Sequence, residues 1–320
     1  MSERDDQPTP RSVDDLPLRV CMVDAIRLFA HGPDAVEGQP SSLQGIDRFW
    51  HYTDARGLLG IAESSELWAS GINQMNDPEE IGYSHSLLSR VWREDFEPHQ
   101  TTWVNAQISA VLSLQIRNAL LDSLHVVSAC RESDNLAMWH HYGSSDGFAI
   151  GMSHQHLSLK SRAGVVAEQR TFWERVIYER VEQRTLAVDL FKTLLQVLPT
   201  PEEVPSGMGP KQKLITLLLA IYIAAVKHPA YAHEQEVRGI VTGCTSADRR
   251  YRVSERGLTS FVRLVGHDSG SGIPAPNGLG IDEVMCGPTV TTDRARVVAD
   301  LLQATGIGAQ VLMSEVPFRG

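Results

Sequence analysis

The chain has 320 residues, 42% of them hydrophobic and 21% charged, which is enough to bury a sizeable core. Its 29 Lys plus Arg stand against 39 Asp plus Glu, a formal net charge of −10, and the pI is about 5.6. That balance speaks against non-specific binding to duplex nucleic acid and leaves a local basic groove open. Cys21, Cys130, Cys244 and Cys286 form no CxxC pair, so they are expected as small buried apolar residues of a reducing compartment, with no metal centre.

The opening stretch MSERDDQPTPRSVDD has no apolar core and does not fit a signal peptide. The longest apolar run, LITLLLAIYIAAV at 214–226, falls short of the about 20 residues that cross a bilayer. It is expected as a buried core helix, and the protein as a cytoplasmic one without a membrane partner. Residues 1–45 read as a disordered segment holding a short helix near 16–30 and a Gly/Pro-rich linker at 32–45. A single domain is expected from 46 to 320.

Within that domain RFWHYT at 48–53 reads as a strand, followed by a helix at 55–64 capped by Asp54. ELWAS is a short strand, and NQMNDPEE a loop leading to helices at 79–94 and 101–121. LHVVSAC is a strand, and DNLAMWHHY at 134–142 a helix opened by an Asp cap. Strands are expected at GFAIGMS, GVVAEQ and WERVIYE, with helices at 181–197 and 209–227. EVRGIVT at 236–242, RRYRVSERG, LTSFVRLVG and IDEVMCGP read as strands. A helix at 291–304 and the strand AQVLMS end the chain, after a Gly/Pro-rich loop at 269–280. Strands and helices alternate without a βαβ rhythm, which predicts an α+β fold with mixed or antiparallel sheets and interspersed helices. No phosphate loop, GxGxxG, HExxH or GxSxG motif is present.

Three segments carry chemistry. In HYT, strand alternation puts His51 and Thr53 on one face and Tyr52 on the other. The imidazole and hydroxyl suit the hydroxyls of a ribose; the same strand also suits an aromatic core. In MWHHY, Trp139 and Tyr142 share a helix face. They offer a slot for a planar ring or a stripe that docks the helix. In EQEVR, an extended backbone would put Glu234 and Glu236 on one side about 7 Å apart, with coupled titration. Arg238, on that face, is placed to grip one carboxylate in a forked ion pair. The alternative is a solvated charge cluster. NDPEE reads as a helix start with acids in its first turn more readily than as a metal loop.

The ordered set WHYTDARGLLGIAESSELWAS, NQMNDPEE, SACRESDNLAMWHHYG with GFAIGM, VIYE, KHPAYAHEQEVRG and IDEVMCGP resembles the bacterial family of domain of unknown function 2971. The resemblance covers about residues 48–319. The motif order is also similar to that of ADP-ribosyltransferases, which implies an ADP-ribosyltransferase-like core and NAD as substrate. By that resemblance His51, with its neighbours Tyr52 and Thr53, would bind the ribose beside nicotinamide. Tyr142 and Trp139 would stack on the nicotinamide ring, and Glu236, oriented by Arg238, would hold the ribose 2′-hydroxyl. Glu236 would also stabilise an oxocarbenium-like transition state, while Glu234 would orient or deprotonate an acceptor, protein or nucleic acid. The expected activity is therefore NAD-dependent ADP-ribosyl transfer or NAD glycohydrolysis, and Glu236→Gln should fold normally without releasing nicotinamide. The alternative is a non-catalytic module of a bacterial conflict system that binds a nucleotide or a partner.

Overall fold

The computed structural model describes Ile26, Ile46 and residues 48–74, 79–113, 124–142, 146–153, 158–161, 170–198, 210–242, 244–254, 257–267 and 278–317. In chain order the elements are β1 Arg48–Asp54, α1 Ala55–Ser64, β2 Glu66–Gly71, α2 Glu79–Val91, α3 Thr102–Val111 and β3 His125–Cys130. There follow α4 Leu136–Tyr142, β4 Gly147–Ser153, β5 Ser158–Ser161, β6 Arg170–Arg175, α5 Arg180–Val197 and α6 Pro210–Ala225. The chain then runs through β7 Glu236–Thr242, β8 Arg249–Ser254, β9 Gly257–His267, β10 Ile281–Cys286, α7 Thr292–Ala304 and β11 Gln310–Met313.

The chain divides into two compact units. One comprises residues 1–44, 76–122 and 174–229, the other 45–75, 123–173 and 230–320. The first unit is helical. Helix α6 buries Leu214, Ile215, Leu218 and Tyr222, as the apolar run predicts for a core helix. Among the described residues no helix is long and apolar enough to cross a membrane. Buried Gln183 of α5 ties the unit together: its Nε2 donates to the carbonyls of Ile177 and Lys227, and its Oε1 accepts from the Tyr83 hydroxyl. A buried amide is tolerated when its groups are paired in this way.

The second unit is built on a mixed, mostly antiparallel sheet in the order β11-β10-β4-β1-β3-β2-β9-β5. Strands β7 and β8 join it through β3 and β9, and β6 pairs with β7. Among the described ladders only the β10–β11 pair is parallel. The fold class is therefore α+β, as strand and helix order predicted. Alternation along β1 assigns its two faces. Trp50 and Tyr52 enter a cluster with Met138 and Trp139 of α4, together with Cys130, Ala149 and Met285. On the opposite face Phe49 stacks on Trp173 at 4.7 Å between ring centroids. Glycine makes room for both rings. A Cβ at Gly151 would meet the Trp50 ring at 2.9 Å, and one at Gly239 would come within 3.2 Å of Trp173.

Several boundaries differ from expectation. Helix α2 ends at Val91 and widens into a π turn, Trp92–Phe96. Helix α3 spans Thr102–Val111, and the rest of the expected 101–121 helix beyond residue 113 lies outside the described set. The expected strand GVVAEQ, most of the loop 269–280 and Asn76–Pro78 of NDPEE also lie outside it. So do the N-terminal segments expected as a short helix and linker, save for Ile26, which is helical and buried and whose carbonyl accepts from the Thr193 hydroxyl. The cap of α4 is Asn135: its Oδ1 accepts from the Ala137 and Met138 amides. Asp134, the expected cap, instead accepts from the Trp139 indole N–H, the Ser314 hydroxyl and the Glu315 amide.

Candidate functional site

A split in the sheet organises the candidate site. Along one edge β3 pairs with β7 over its full length, from His125↔Val241 to Cys130↔Glu236. Its other edge is shared: β1 meets it at Trp50↔Cys130, and β2 at Ser70↔Val126 and Gly71↔His125. Between those registers β1 and β2 part, and the edge of β3 around Ser128 faces a gap. A backbone carbonyl facing a gap needs a partner. Here His51 supplies it, with Nδ1 2.9 Å from the Ser128 carbonyl.

That contact fixes the chemistry of His51. A carbonyl oxygen only accepts, so Nδ1 carries the proton and Nε2 presents a lone pair. Burial pushes the imidazole below its ordinary value of 6.5; the bond to Ser128 opposes this and the Arg252 charge adds to it. A neutral ring near pH 7 follows. No described residue bonds Nε2, which is therefore available to accept from a ligand hydroxyl. Thr53 lies two residues along the same face and is half-buried.

Beyond β3 lies the ion pair expected from EQEVR. Arg238 Nε and Nη2 reach Glu236 Oε1 and Oε2, each at 2.8 Å. Register partners project to the same side of a sheet, so Glu236 stands beside Cys130, and Arg238 beside Ser128. Both are buried, Arg238 fully and Glu236 at 4% exposure. The solvated-cluster alternative therefore does not hold. Because Glu236 is half of a buried ion pair, Glu236→Gln is expected to cost stability as well as any activity.

Glu234 departs from the sequence reading. It ends a 3-10 turn, Pro229–Glu234, and Gln235 follows with φ of 44°. The extended alternation assumed for Glu-x-Glu is broken between the two acids, so they do not share a strand face. Both are nevertheless buried.

The aromatic residues are placed differently again. Trp139 is 2% exposed and packs edge-on against Tyr52 at 4.6 Å between ring centroids. Its indole N–H is consumed by Asp134 at 2.7 Å. The ring is thus a core residue, and a free stacking slot at Trp139 is not present. Tyr52 is a strut: its hydroxyl donates to the Glu132 carbonyl and accepts from the Asn135 amide, both at 2.9 Å. Burial pushes that phenol well above its ordinary value. Tyr142 is half-buried against the same cluster.

The structure therefore puts His51 on β1 and Glu236 and Arg238 on β7, with β3 between them; alternation gives Glu236 the face of Trp50, Tyr52 and Trp139 and gives His51 the other, its ring reaching in to the Ser128 carbonyl. From Trp50 through Cys130 to Glu236 is two strand spacings, about 10 Å. Sequence reasoning missed Ser128, Ser70 and Arg252. The first two act through tertiary position alone; Arg252 stood in the visible run RRYR. Cys130, Cys244 and Cys286 are buried and free, their thiols pushed up to about 12, 12 and 11. Among the described residues no three His, Cys, Asp or Glu side chains form a group that could hold a metal.

No curated protein and no solved structure matches the chain. A family model described as "Protein of unknown function (DUF2971)" matches residues 138–239. That stretch contains Trp139, Tyr142, Glu234, Glu236 and Arg238, and the match supports the kinship with domain of unknown function family 2971 that the motifs implied.

Proposed function

We propose that the split in the second unit binds a nicotinamide dinucleotide and that the protein is an NAD-dependent ADP-ribosyltransferase or NAD glycohydrolase. The observation that carries this reading is the neutral imidazole of His51 lodged against the Ser128 carbonyl in the gap, with a carboxylate oriented by Arg238 on β7, across β3. Nε2 of His51 accepts a ribose hydroxyl. The carboxylate of Glu236, fixed by the fork of Arg238, is the acceptor for the ribose 2′-hydroxyl. As the bond between the ribose carbon and nicotinamide breaks, its electron pair leaves with nicotinamide. Positive charge then grows on the sugar carbon, where a fixed carboxylate lowers the barrier. Water or an acceptor nucleophile completes the exchange, with Glu234 as the group that takes its proton.

A second reading is favoured by one feature, the near-complete burial of Glu236 in its ion pair. It makes the unit a non-catalytic module that recognises a nucleotide or a partner with the same residues. Nicotinamide release from NAD separates the two. His51→Asn is the informative variant, since its amide still donates to the Ser128 carbonyl while Nε2 is lost. Release by the wild type and a fall of about 10²-fold in the variant are expected. Undiminished release in His51→Asn would remove the imidazole from the reaction. Thermal stabilisation by NAD without release would establish the module.

A further inference from the structure

Beside the split, β2, β9 and β8 present a second constellation. Trp68, 43% exposed, stacks on Phe261 at 4.2 Å between centroids. The Arg252 guanidinium lies over both rings, 5.5 Å from Trp68 and 5.9 Å from Phe261. Its Nη2 donates to the Ser70 hydroxyl at 3.1 Å. Ser70 is the register partner of Val126, two residues along β3 from the Ser128 that His51 grips.

Arg252 differs in charge environment from the arginines of the neighbouring strands. Neighbouring Arg263 is neutralised by Glu66 at 3.7 Å, and Arg48 by Asp282 at 3.0 Å. Among the described residues no carboxylate pairs with Arg252, in a chain whose net charge is −10. Arg250, two residues away on the same face of β8, also lacks a described carboxylate and bonds the Ala247 and Arg249 carbonyls. An arginine fork held on an aromatic stack is pre-organised, with most of its five donors unspent. Its natural complement is an oxyanion that accepts two parallel hydrogen bonds. The exposed indole alongside offers an apolar ring surface to whatever carries that anion.

We propose that Arg252, Ser70 and Trp68 form a binding site for the phosphate group of an organic phosphate at the rim of the split. The site stands independently of the NAD reaction and extends it: a dinucleotide in the split would present its pyrophosphate to Arg252. An anion seated there also favours the charged form of nearby His51, because it offsets the Arg252 charge that depresses the imidazole.

The test uses the full chain with inorganic pyrophosphate, followed by calorimetry and by the His51 imidazole titration in NMR. Arg252→Gln is the probe, Arg252→Lys the variant that keeps the charge but loses the fork, and Arg296→Gln a control for general electrostatics. Pyrophosphate should bind the wild type and the control alike and raise the His51 pKa. Arg252→Gln should weaken binding by about tenfold or more and abolish the rise, with Arg252→Lys between. Absence of binding to the wild type, unchanged binding in Arg252→Gln, or glutarate binding as tightly as pyrophosphate would each overturn the proposal. Pyrophosphate binding without nicotinamide release would leave this site standing and remove the NAD reaction. Nicotinamide release together with unchanged pyrophosphate binding in Arg252→Gln would do the reverse.

Discussion

Two regions flank the same short strand, β3, and bury their groups by opposite means. Around Tyr52 and Trp139 the layer is aromatic and dry, and each polar atom is answered by a local partner: Asp134 for the indole, Glu132 and Asn135 for the phenol. Around Ser128 the layer is ionic, with a forked carboxylate–guanidinium pair and an imidazole bridging a gap between strands. The first region derives its stability from contact area. The second gives up part of that in exchange for charges fixed in place, because ions leave water at a cost that pairing only partly offsets. The comparison teaches that burial alone does not mark a site; what distinguishes the split is a group whose lone pair no described residue answers, His51 Nε2.

The sharpest break of this comparison is Trp139→Ala. If the aromatic region is core, its loss should destabilise the protein by about 4 kcal/mol, read as a lower urea midpoint, while ligand binding at the split persists in the folded fraction. A variant of near wild-type stability that fails to bind would return Trp139 to the site. Next comes the ion pair. Arg238→Met should cost about 3 kcal/mol by removing one charge of a buried pair, and Glu236→Leu combined with Arg238→Met should recover most of it. If the double variant is no better than the single, the pair is not the unit that its geometry describes.

Tyr52→Phe sharpens the aromatic side. It removes a hydroxyl that serves two backbone groups, for an expected loss of about 1–2 kcal/mol, with amide exchange quickening at Asn135 first. The smallest effect belongs to His51 and is one of pH. Its folded pKa lies below 6.5, so the unfolded chain binds the proton more readily between the two values. Stability should therefore fall as pH drops from about 6.5 toward the folded pKa and be flat for this group above that window. Comparing wild type with His51→Asn across pH 5–8 isolates the contribution; identical slopes would mean that the ring titrates as an exposed one.

Local patterns explain which parts were legible. EVRGIVT was read with the bounds of β7, and the helix at 55–64 with its Asp54 cap agrees with α1, whose Gly57 amide donates to Asp54 Oδ1. Both depend on alternation and capping, which act within a few residues. The forked pair of Glu236 and Arg238 was legible for the same reason, since residues two apart on a strand share a face. Glu234 was misread because a 3-10 turn and a left-handed Gln235 intervene, and neither has a strong side-chain signature.

The sequence by itself determined the α+β class, the core role of the apolar 214–226 run, the strands that carry His51 and Glu236, and the grip of Arg238. Only the tertiary structure decided that β1 and β2 part over Ser128, that Trp139 faces inward onto Tyr52, and that Arg252 arrives beside the gap from a late hairpin. The reason is range. Periodicity and capping are set by neighbours in the chain, whereas a split between strands depends on which distant segments compete for the edge of β3, and no local pattern encodes that competition.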